Sequence, residues 1–361
     1  MAPIPKGGIV AVTGASGYIG GWLVRKLLDG GYRVRACVRD VNDEAKSNFL
    51  KSMGGFCSGR LTLHSADLNR PGAFDDIFSG CHGVAHVSHI NGEGHKDGGY
   101  GNDEYVARVN AQILASIDRA DSVSRVVITS SIAAVVSESN PEEMQKRPVI
   151  YEDRYPDEDN PRLSGYSRSK QYAERLFEQT AMKSGRWDVI ICCPGDNVGP
   201  IQAEHHADRG PWQGLMKKML LGECNPAVHG YRPWHTVDVR DTAALQVAIL
   251  ESVVVKNGER YIAFNGKRID IEDVCLRIDR LLPELGYSTP NMAEDLDEKG
   301  LERRERRRKV YAGTDLRNDR TRALGIKYRD LNISLRDMAE SLISVGKVEP
   351  VLRTGFNINR N

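Results

Sequence analysis

The feature that most constrains this chain is an apolar segment, Val10–Thr13, that leads directly into a glycine-rich turn and then into a helical pattern. Glycine occupies every third position of the turn, at Gly14, Gly17 and Gly20. Gly14 can adopt backbone angles closed to other residues, Gly17 lets phosphates approach the backbone, and Gly20 lets helix and strand pack closely. The N–H groups at the start of the helix favour an anion. This order of strand, turn and helix predicts a site for the pyrophosphate of a dinucleotide.

Strand-like and helix-like segments alternate through the first half of the chain. Further strands are predicted at 33–38, 61–64, 83–87, 125–129 and 187–192, with helices near 73–78, 103–120 and 164–183. This rhythm is typical of βαβ units, which build a parallel sheet with helices on both faces. Beyond Pro194 the pattern loosens into loops and several helices. We therefore predict an α/β fold, a Rossmann doubly wound parallel sheet with a smaller, mostly helical C-terminal substrate lobe.

The end of the second predicted strand bears on the choice between NAD and NADP. NAD-specific sites usually place a carboxylate there, which accepts hydrogen bonds from the ribose hydroxyls. In this chain Val38 and Arg39 stand at that position, and an arginine side chain can bind a 2′-phosphate through two hydrogen bonds. Asp40 follows, and we expect it to turn outward and pair with Arg39 when no cofactor is bound. The sequence therefore predicts NADP(H), with NAD(H) as the alternative.

The expected domains follow the change of pattern after the sheet. An NADP-binding Rossmann domain is expected over 8–194, with substrate-facing loops at 88–102 and 138–163. Residues 195–350 are expected to form a mixed substrate-binding lobe with segments that return to the sheet. The remaining residues, 351–361, are expected to be a tail.

A tyrosine and a lysine one helical turn apart are the main candidates for chemistry. Tyr166 and Lys170 stand near the start of the predicted helix 164–183, so their side chains share one face. A phenol, with an ordinary pKa of about 10, exchanges protons poorly at neutral pH unless a cation stabilises its phenolate. We expect Lys170 and the cofactor's charged ring to lower the pKa of Tyr166. Ser130 and Ser131 close the fifth strand, where a hydroxyl can hold a substrate carbonyl oxygen.

Together these motifs resemble the extended short-chain dehydrogenases/reductases, most closely the branch with dihydroflavonol reductases and cinnamoyl-CoA reductases. The matching segments are 12–20, 31–40, 65–68, 126–131, 166–170, 193–195, 237–241 and 324–342. The chain departs from the Asn-Trp-Tyr-Cys-Tyr signature of many cinnamoyl-CoA reductases at 159–165. It also has Val136 where many dihydroflavonol reductases carry asparagine. The branch therefore implies a carbonyl reductase without assigning its substrate.

The resemblance implies a role for each matching residue. Ser131 matches the catalytic serine, Tyr166 the general acid, and Lys170 the residue that binds the nicotinamide ribose and lowers the pKa of the tyrosine. Arg39 and Lys46 match the two cations that hold the 2′-phosphate. The residues expected to bind the cofactor are Thr13, Gly14, Gly17, Tyr18, Ile19, Gly20, Arg39, Lys46, Asp67, Leu68, Val87, Tyr166, Lys170 and Pro194.

Composition excludes several other classes of protein. The formal net charge of +1 over 361 residues gives no general attraction to nucleic acid. No apolar run reaches the roughly 18 residues that a membrane span needs. The chain begins without the apolar core of a signal peptide, and its seven cysteines show no Cys-x-x-Cys spacing. We expect a cytoplasmic monomer or homodimer that binds neither nucleic acid nor membrane.

Three polar segments have simpler interpretations than a further binding site. His205 and His206 have no carboxylate or thiol at a helical metal spacing, so we expect no metal and a surface loop over the pocket. The basic run 303–309 contains Glu305 and is typical of an exposed helix with internal ion pairs. The mostly acidic segment 142–159 is expected to be a solvated loop.

The expected function is reduction of an aldehyde or ketone by hydride transfer from NADPH, with Tyr166 as the proton donor. The substrate would be a small carbonyl or alcohol compound. Two alternatives stay open. A nucleotide-sugar epimerase or dehydratase would use the same three residues and retain NAD between steps, whereas an NADP-binding sensor or scaffold would bind the cofactor without turnover.

Overall fold

The structure of the protein is a computed structural model. It describes residues 1–88, 103–136, 141–156, 163–208, 210–222, 234–266, 268–285 and 298–353. Most of the predicted loop 88–102, and parts of the predicted loop 138–163 and of the tail, lie outside the described residues. In chain order the strands are β1 (Ile9–Thr13), β2 (Arg33–Val38), β3 (Leu61–Ser65), β4 (Gly83–His86), β5 (Arg125–Thr129), β6 (Val149–Ile150), β7 (Asp188–Pro194), β8 (Asp196–Val198), β9 (Trp234–Asp238), β10 (Arg260–Ala263), β11 (Arg268–Ile269) and β12 (Asp315–Leu316).

The central sheet has seven strands in the order β3–β2–β1–β4–β5–β7–β10. Every neighbouring pair in it is parallel. The predicted strands after the turn correspond to β2, β3, β4, β5 and β7, with ends that differ by at most two residues. The strand order reverses between β1 and β4, and ligands of open α/β sheets bind at the carboxyl edge beside such a reversal. The predicted Rossmann fold is confirmed.

Helices cover both faces of this sheet. In chain order the helices are α1 (Tyr18–Asp29), α2 (Glu44–Lys51), α3 (Gly54–Cys57), α4 (Asp75–Phe78), α5 (Asp103–Arg119), α6 (Pro141–Lys146), α7 (Gly165–Ser184), α8 (Pro211–Leu220), α9 (Val239–Glu251), α10 (Ile271–Leu281), α11 (Glu298–Ala312), α12 (Asp319–Ala323) and α13 (Leu331–Ser344). None of these helices, which are the ones formed by the described residues, is long and apolar enough to cross a membrane.

Two apolar clusters sandwich the sheet because successive strand residues point to opposite faces. On one face Val127 packs with Leu27 of α1 and with apolar residues of α9. On the other face Val126 packs with Ile117 of α5 and Phe177 of α7. The near-continuous apolar strands follow from burial on both faces.

The C-terminal part of the chain forms a smaller, mostly helical lobe, as predicted. A third apolar cluster joins Trp212 and Met216 of α8, Ile278 of α10, and Leu335 and Met338 of α13. A three-stranded sheet in the order β11–β9–β8 accompanies these helices.

Strand β10 belongs to the central sheet although it lies within the predicted lobe 195–350. It pairs in parallel with β7, placing Tyr261 opposite Cys192. The predicted domain boundary at 194 therefore does not separate the strands of the central sheet, since β10 lies beyond it.

The acidic segment 142–159 is not the solvated loop that its composition indicated. It contains most of α6 and all of β6, and β6 pairs in parallel with β12. The expectation is wrong because the partner strand lies far along the chain, where local composition gives no signal. The basic run 303–309 does lie in a helix, α11.

Candidate functional site

A cavity of about 1150 Å³ runs along the carboxyl edge of the central sheet. The glycine-rich turn borders it, and so do Trp212 and Gln213 of α8 and Tyr311 of α11. The predicted site residues that border it are Thr13, Gly14, Gly17, Tyr18, Ile19, Gly20, Arg39, Lys46, Asp67, Leu68, Val87, Ser131 and Tyr166. Lys170 and Pro194 do not border it, whereas Gly195 and Asp196, directly after Pro194, do.

The glycine-rich turn has no space for side chains at two of its three glycines. Gly14 has φ +66°, and a Cβ there would lie 2.9 Å from the backbone nitrogen of Ser88. A Cβ on Gly20 would overlap the carbonyl oxygen of Gly14. Gly17 is exposed at the cavity and meets only that same carbonyl, at 3.2 Å. The turn is therefore an open backbone cradle at the start of α1, and it fits the pyrophosphate of a dinucleotide.

Two hydroxyl groups at the turn already have protein partners. The Tyr18 hydroxyl donates to the carbonyl oxygen of Gly199 at 2.7 Å. The Thr13 hydroxyl lies 2.8 Å from Nδ1 of His86 and accepts the backbone N–H of Ser88 at 3.3 Å. Tyr18 therefore borders the cavity while its hydroxyl fixes the position of α1.

Two cations border the cavity beyond the end of β2. Arg39 is exposed there, and Lys46 of α2 forms an ion pair with Asp43. The Asp40 carboxylate accepts the backbone N–H of Asn42 at 2.9 Å. The expected ion pair between Asp40 and Arg39 is not found among the described residues, because Asp40 closes its own local turn. The cations fit the 2′-phosphate of NADP.

The two serines at the end of β5 point in different directions. Ser131 borders the large cavity, and its side chain is hydrogen-bonded to that of Tyr166. Its Oγ also accepts the backbone N–H of Ala133 at 3.2 Å, which begins a 3₁₀ turn. Ser130 is buried and donates to the carboxylate of Glu174. Because adjacent residues face opposite sides, only Ser131 is placed to meet a ligand.

The protein alone raises the pKa of Tyr166, so the lowering expected from Lys170 together with the cofactor's charged ring stays a prediction. Burial is the main cause, and the nearby Asp196 carboxylate adds to the rise, while the hydrogen bond with Ser131 opposes it. Lys170 does not overcome these effects. Its Nζ lies 5.7 Å from the centroid of the Tyr166 ring and donates to the carbonyl oxygen of Thr129 at 3.0 Å.

Lys170 lies in a buried compartment behind Tyr166. The compartment is a cavity of about 40 Å³ whose walls include Lys170, Asn110 and Glu174. Helix α7 begins at the Ser164 cap, whose Oγ accepts the Ser167 N–H at 3.1 Å, and this start places Lys170 one turn below Tyr166. Burial lowers the pKa of Lys170 to about 8, and nearby Glu174 opposes the shift.

A buried ion pair beneath this compartment was missed by the sequence analysis. Glu174 lies 3.1 Å from Nε of Arg260, which is on β10, and both side chains are almost fully buried. The Arg260 guanidinium also lies 4.1 Å from the centroid of the Tyr155 ring. A signal exists in the sequence, since Lys170, Glu174 and Phe177 follow the helical period on the buried face of α7.

The histidine pair at 205–206 is not a surface loop over the pocket. His205 and His206 belong to a 3₁₀ turn, and His206 is fully buried. Both rings lie within hydrogen-bond distance of the Ser16 carbonyl oxygen. The expectation failed because the sequence does not show that this segment folds back onto the glycine-rich turn.

Comparison with known proteins connects this geometry to a family. A model described as the NAD dependent epimerase/dehydratase family matches residues 10–263. The cinnamoyl-CoA reductase CAD2 of Medicago truncatula is 30% identical over 347 residues, which cover 95% of this chain and 98% of that protein. A dihydroflavonol 4-reductase of Zea mays is 38% identical over 203 residues, which cover 54% of each protein.

Solved structures share the fold over nearly the whole chain. Vestitone reductase from alfalfa (Medicago sativa) has a TM-score of 0.69 at 22% identity, covering 94% of this chain and 99% of that one. The yeast methylglyoxal/isovaleraldehyde reductase Gre2, complexed with NADPH, has a TM-score of 0.72 at 22% identity, covering 93% and 98%. At this level of identity the likeness concerns the fold.

Proposed function

The chain belongs to the NAD dependent epimerase/dehydratase family, in its extended short-chain reductase branch, and from this we propose that it is an NADPH-dependent carbonyl reductase. The substrate is an aldehyde or ketone group of a small organic compound. The observation that carries the proposal is the hydrogen-bonded pair of Ser131 and Tyr166 on the wall of the cavity that the glycine-rich turn also lines. The proposed proton donor and the turn proposed to bind the dinucleotide thus border the same cavity.

The proposed chemistry assigns one task to each polar side chain. The bound dinucleotide supplies a hydride to the carbonyl carbon. Tyr166 donates its hydroxyl proton to the carbonyl oxygen, and Ser131 holds that oxygen through a hydrogen bond. The ammonium of Lys170 lies near the Tyr166 ring, so its charge stabilises the phenolate that remains after proton transfer.

The proposed cofactor site extends from the turn to the end of β2. The backbone of the turn holds the pyrophosphate, Arg39 and Lys46 hold the 2′-phosphate, and Asp67 and Leu68 border the adenine. Within the domains proposed from the sequence, 8–194 binds the dinucleotide and 195–350 binds the substrate. Trp212 and Tyr311 support the second assignment because they border the same cavity as the glycine-rich turn.

The test is NADPH oxidation by the purified protein with a panel of aldehydes and ketones, followed by absorbance at the nicotinamide band. We expect turnover with at least one carbonyl compound and release of NADP. An epimerase or dehydratase would instead carry NAD through purification and consume no NADPH. A sensor or scaffold would bind NADPH but leave it unoxidised with every compound in the panel.

Replacing Arg39 tests the proposed preference for NADP. Arg39→Leu is expected to raise the KM for NADPH by about 10- to 100-fold, because a charge-assisted hydrogen bond to the 2′-phosphate is lost. The KM for NADH should change little, since NADH has no 2′-phosphate. Arg33→Leu is the matched control, because Arg33 is exposed at the other end of β2, away from the cavity. An equal loss with both cofactors would contradict the assignment.

The ionisation of Lys170 predicts a pH dependence. Because burial lowers its pKa to about 8, Lys170 is charged below this pH and neutral above it. The kcat/KM for NADPH, which reports ionisations of the free protein, should therefore fall as the pH rises through about 8. Arginine keeps its charge, so Lys170→Arg should move this fall to higher pH, whatever its absolute activity. A fall with the same midpoint in both proteins would rule out Lys170 as its origin.

A further inference from the structure

The segment Gly199–His206, here called the strap, follows β8 and fastens to the start of α1. Its Gly199 carbonyl accepts the Tyr18 hydroxyl at 2.7 Å, and its Pro200 carbonyl accepts Nε1–H of Trp22 at 2.8 Å. The strap thus joins the proposed substrate lobe to the helix that follows the glycine-rich turn.

The end of the strap contacts the turn itself. Nε2 of His205 lies 2.7 Å from the carbonyl oxygen of Ser16, and Nε2 of His206 lies 3.0 Å from the same oxygen. The two imidazole rings have centroids 4.4 Å apart, and the His206 ring packs edge-on against Phe49 of α2 at 5.1 Å. Ser16 stands between Gly14 and Gly17 and borders the cavity, whereas neither histidine borders it.

The hydrogen-bond pattern fixes which ring nitrogens carry hydrogen. The Ser16 oxygen can only accept, so Nε2 of each histidine donates to it. Nδ1 of His206 lies 3.4 Å from the backbone nitrogen of Gln202 and accepts its N–H. His206 is therefore a neutral bridge that links the strap to the turn, and two donors occupy both lone pairs of one carbonyl.

We propose that His205 and His206 are positioning residues of the dinucleotide site. A carbonyl oxygen directed at the cavity would repel the pyrophosphate, whereas the two imidazoles hold the Ser16 oxygen on the side away from it. The peptide planes of the turn are thereby fixed with their N–H groups available to the anion. The inference rests on the proposed function only in so far as the cavity must bind a dinucleotide.

The test uses the full chain and NADPH affinity, measured by fluorescence titration. His205→Leu or His206→Leu alone is expected to weaken binding by about 3-fold, because the Ser16 carbonyl keeps one donor. The double variant leaves this carbonyl without a donor and should weaken binding by about 10- to 100-fold, more than the product of the single effects. The double substitution by Gln, which restores N–H donors, should recover most of the affinity. At saturating NADPH, kcat and the KM for the carbonyl substrate should change little.

His64→Leu is the matched control, because His64 of β3 does not border the cavity, and the Tm of every variant is measured alongside. Wild-type affinity in a folded double Leu variant would overturn the inference. A loss that follows Tm and that Gln does not restore would also overturn it, since this is the result of lost packing alone. If the wild-type protein binds neither NADPH nor NADH, the proposed function itself fails. If the wild-type protein binds NADPH and the variants do so equally well, only the inference fails.

Discussion

Tyr166→Phe is expected to lower kcat for NADPH-dependent carbonyl reduction by about 10²- to 10⁴-fold, the usual contribution of a positioned general acid. The substitution removes one oxygen atom and keeps the ring that packs near Lys170. The turn that cradles the pyrophosphate is unaffected, so NADPH affinity should stay at its wild-type value. Steady-state rates and fluorescence titration of NADPH measure the two quantities separately.

A second tyrosine on the same helix provides the control for this loss. Tyr172 lies on α7, does not border the cavity, and Tyr172→Phe removes the same atom. Its kcat should equal that of the wild-type protein. If Tyr166→Phe retains wild-type kcat, Tyr166 is not the proton donor. If both kcat and NADPH affinity fall together, the hydroxyl organises the cofactor site and does not act in proton transfer.

The glycine-rich turn and the strands around it could be predicted because their signals are local. Gly14 has a positive φ, and there is no space for a Cβ at Gly20. Both conditions require glycine, so the residue types alone indicate the geometry of the turn. The strands from β1 to β7 in the sheet are apolar runs separated by helix-length intervals, which indicate parallel pairing. The spacing of Tyr166 and Lys170 places both on one face by helical periodicity.

The remaining features depend on residues that are far apart in the chain. Strand β10 joins the sheet by pairing with β7, and the pairing of β6 with β12 is equally remote in sequence. The Tyr18 hydroxyl donates to the carbonyl oxygen of Gly199, so this residue of the glycine-rich turn also fixes α1 to a distant segment. The raised pKa of Tyr166 follows from burial, which no local pattern reports. These contacts and shifts result from tertiary packing, which the spacing of residues in the sequence does not predict.

The second large effect is expected at Glu174, the buried carboxylate below Lys170. Burial raises the pKa of Glu174 even though Arg260 lies beside it, so the carboxylate is costly to bury and depends on its partners. Glu174→Ala leaves the Arg260 guanidinium, which is 2% exposed, without its carboxylate. Breaking a buried pair from one side costs about 3–5 kcal/mol, and we expect the free energy of unfolding to fall by this amount. Urea denaturation, with Tm as a parallel reading, measures the loss.

A double-mutant cycle separates the pair from the rest of the core. Arg260→Met alone should also be strongly destabilising, because the buried Glu174 carboxylate then loses its ion pair with the guanidinium. In the double variant neither charge remains, so its loss of stability should be clearly smaller than the sum of the two single losses. Glu178→Ala, one turn further along α7 at a half-buried position, is the control and should cost much less. If the two single losses of stability simply add in the double variant, the two side chains stabilise the protein independently. The ion pair would then not connect β10 to the compartment of Lys170, and only packing would hold them together.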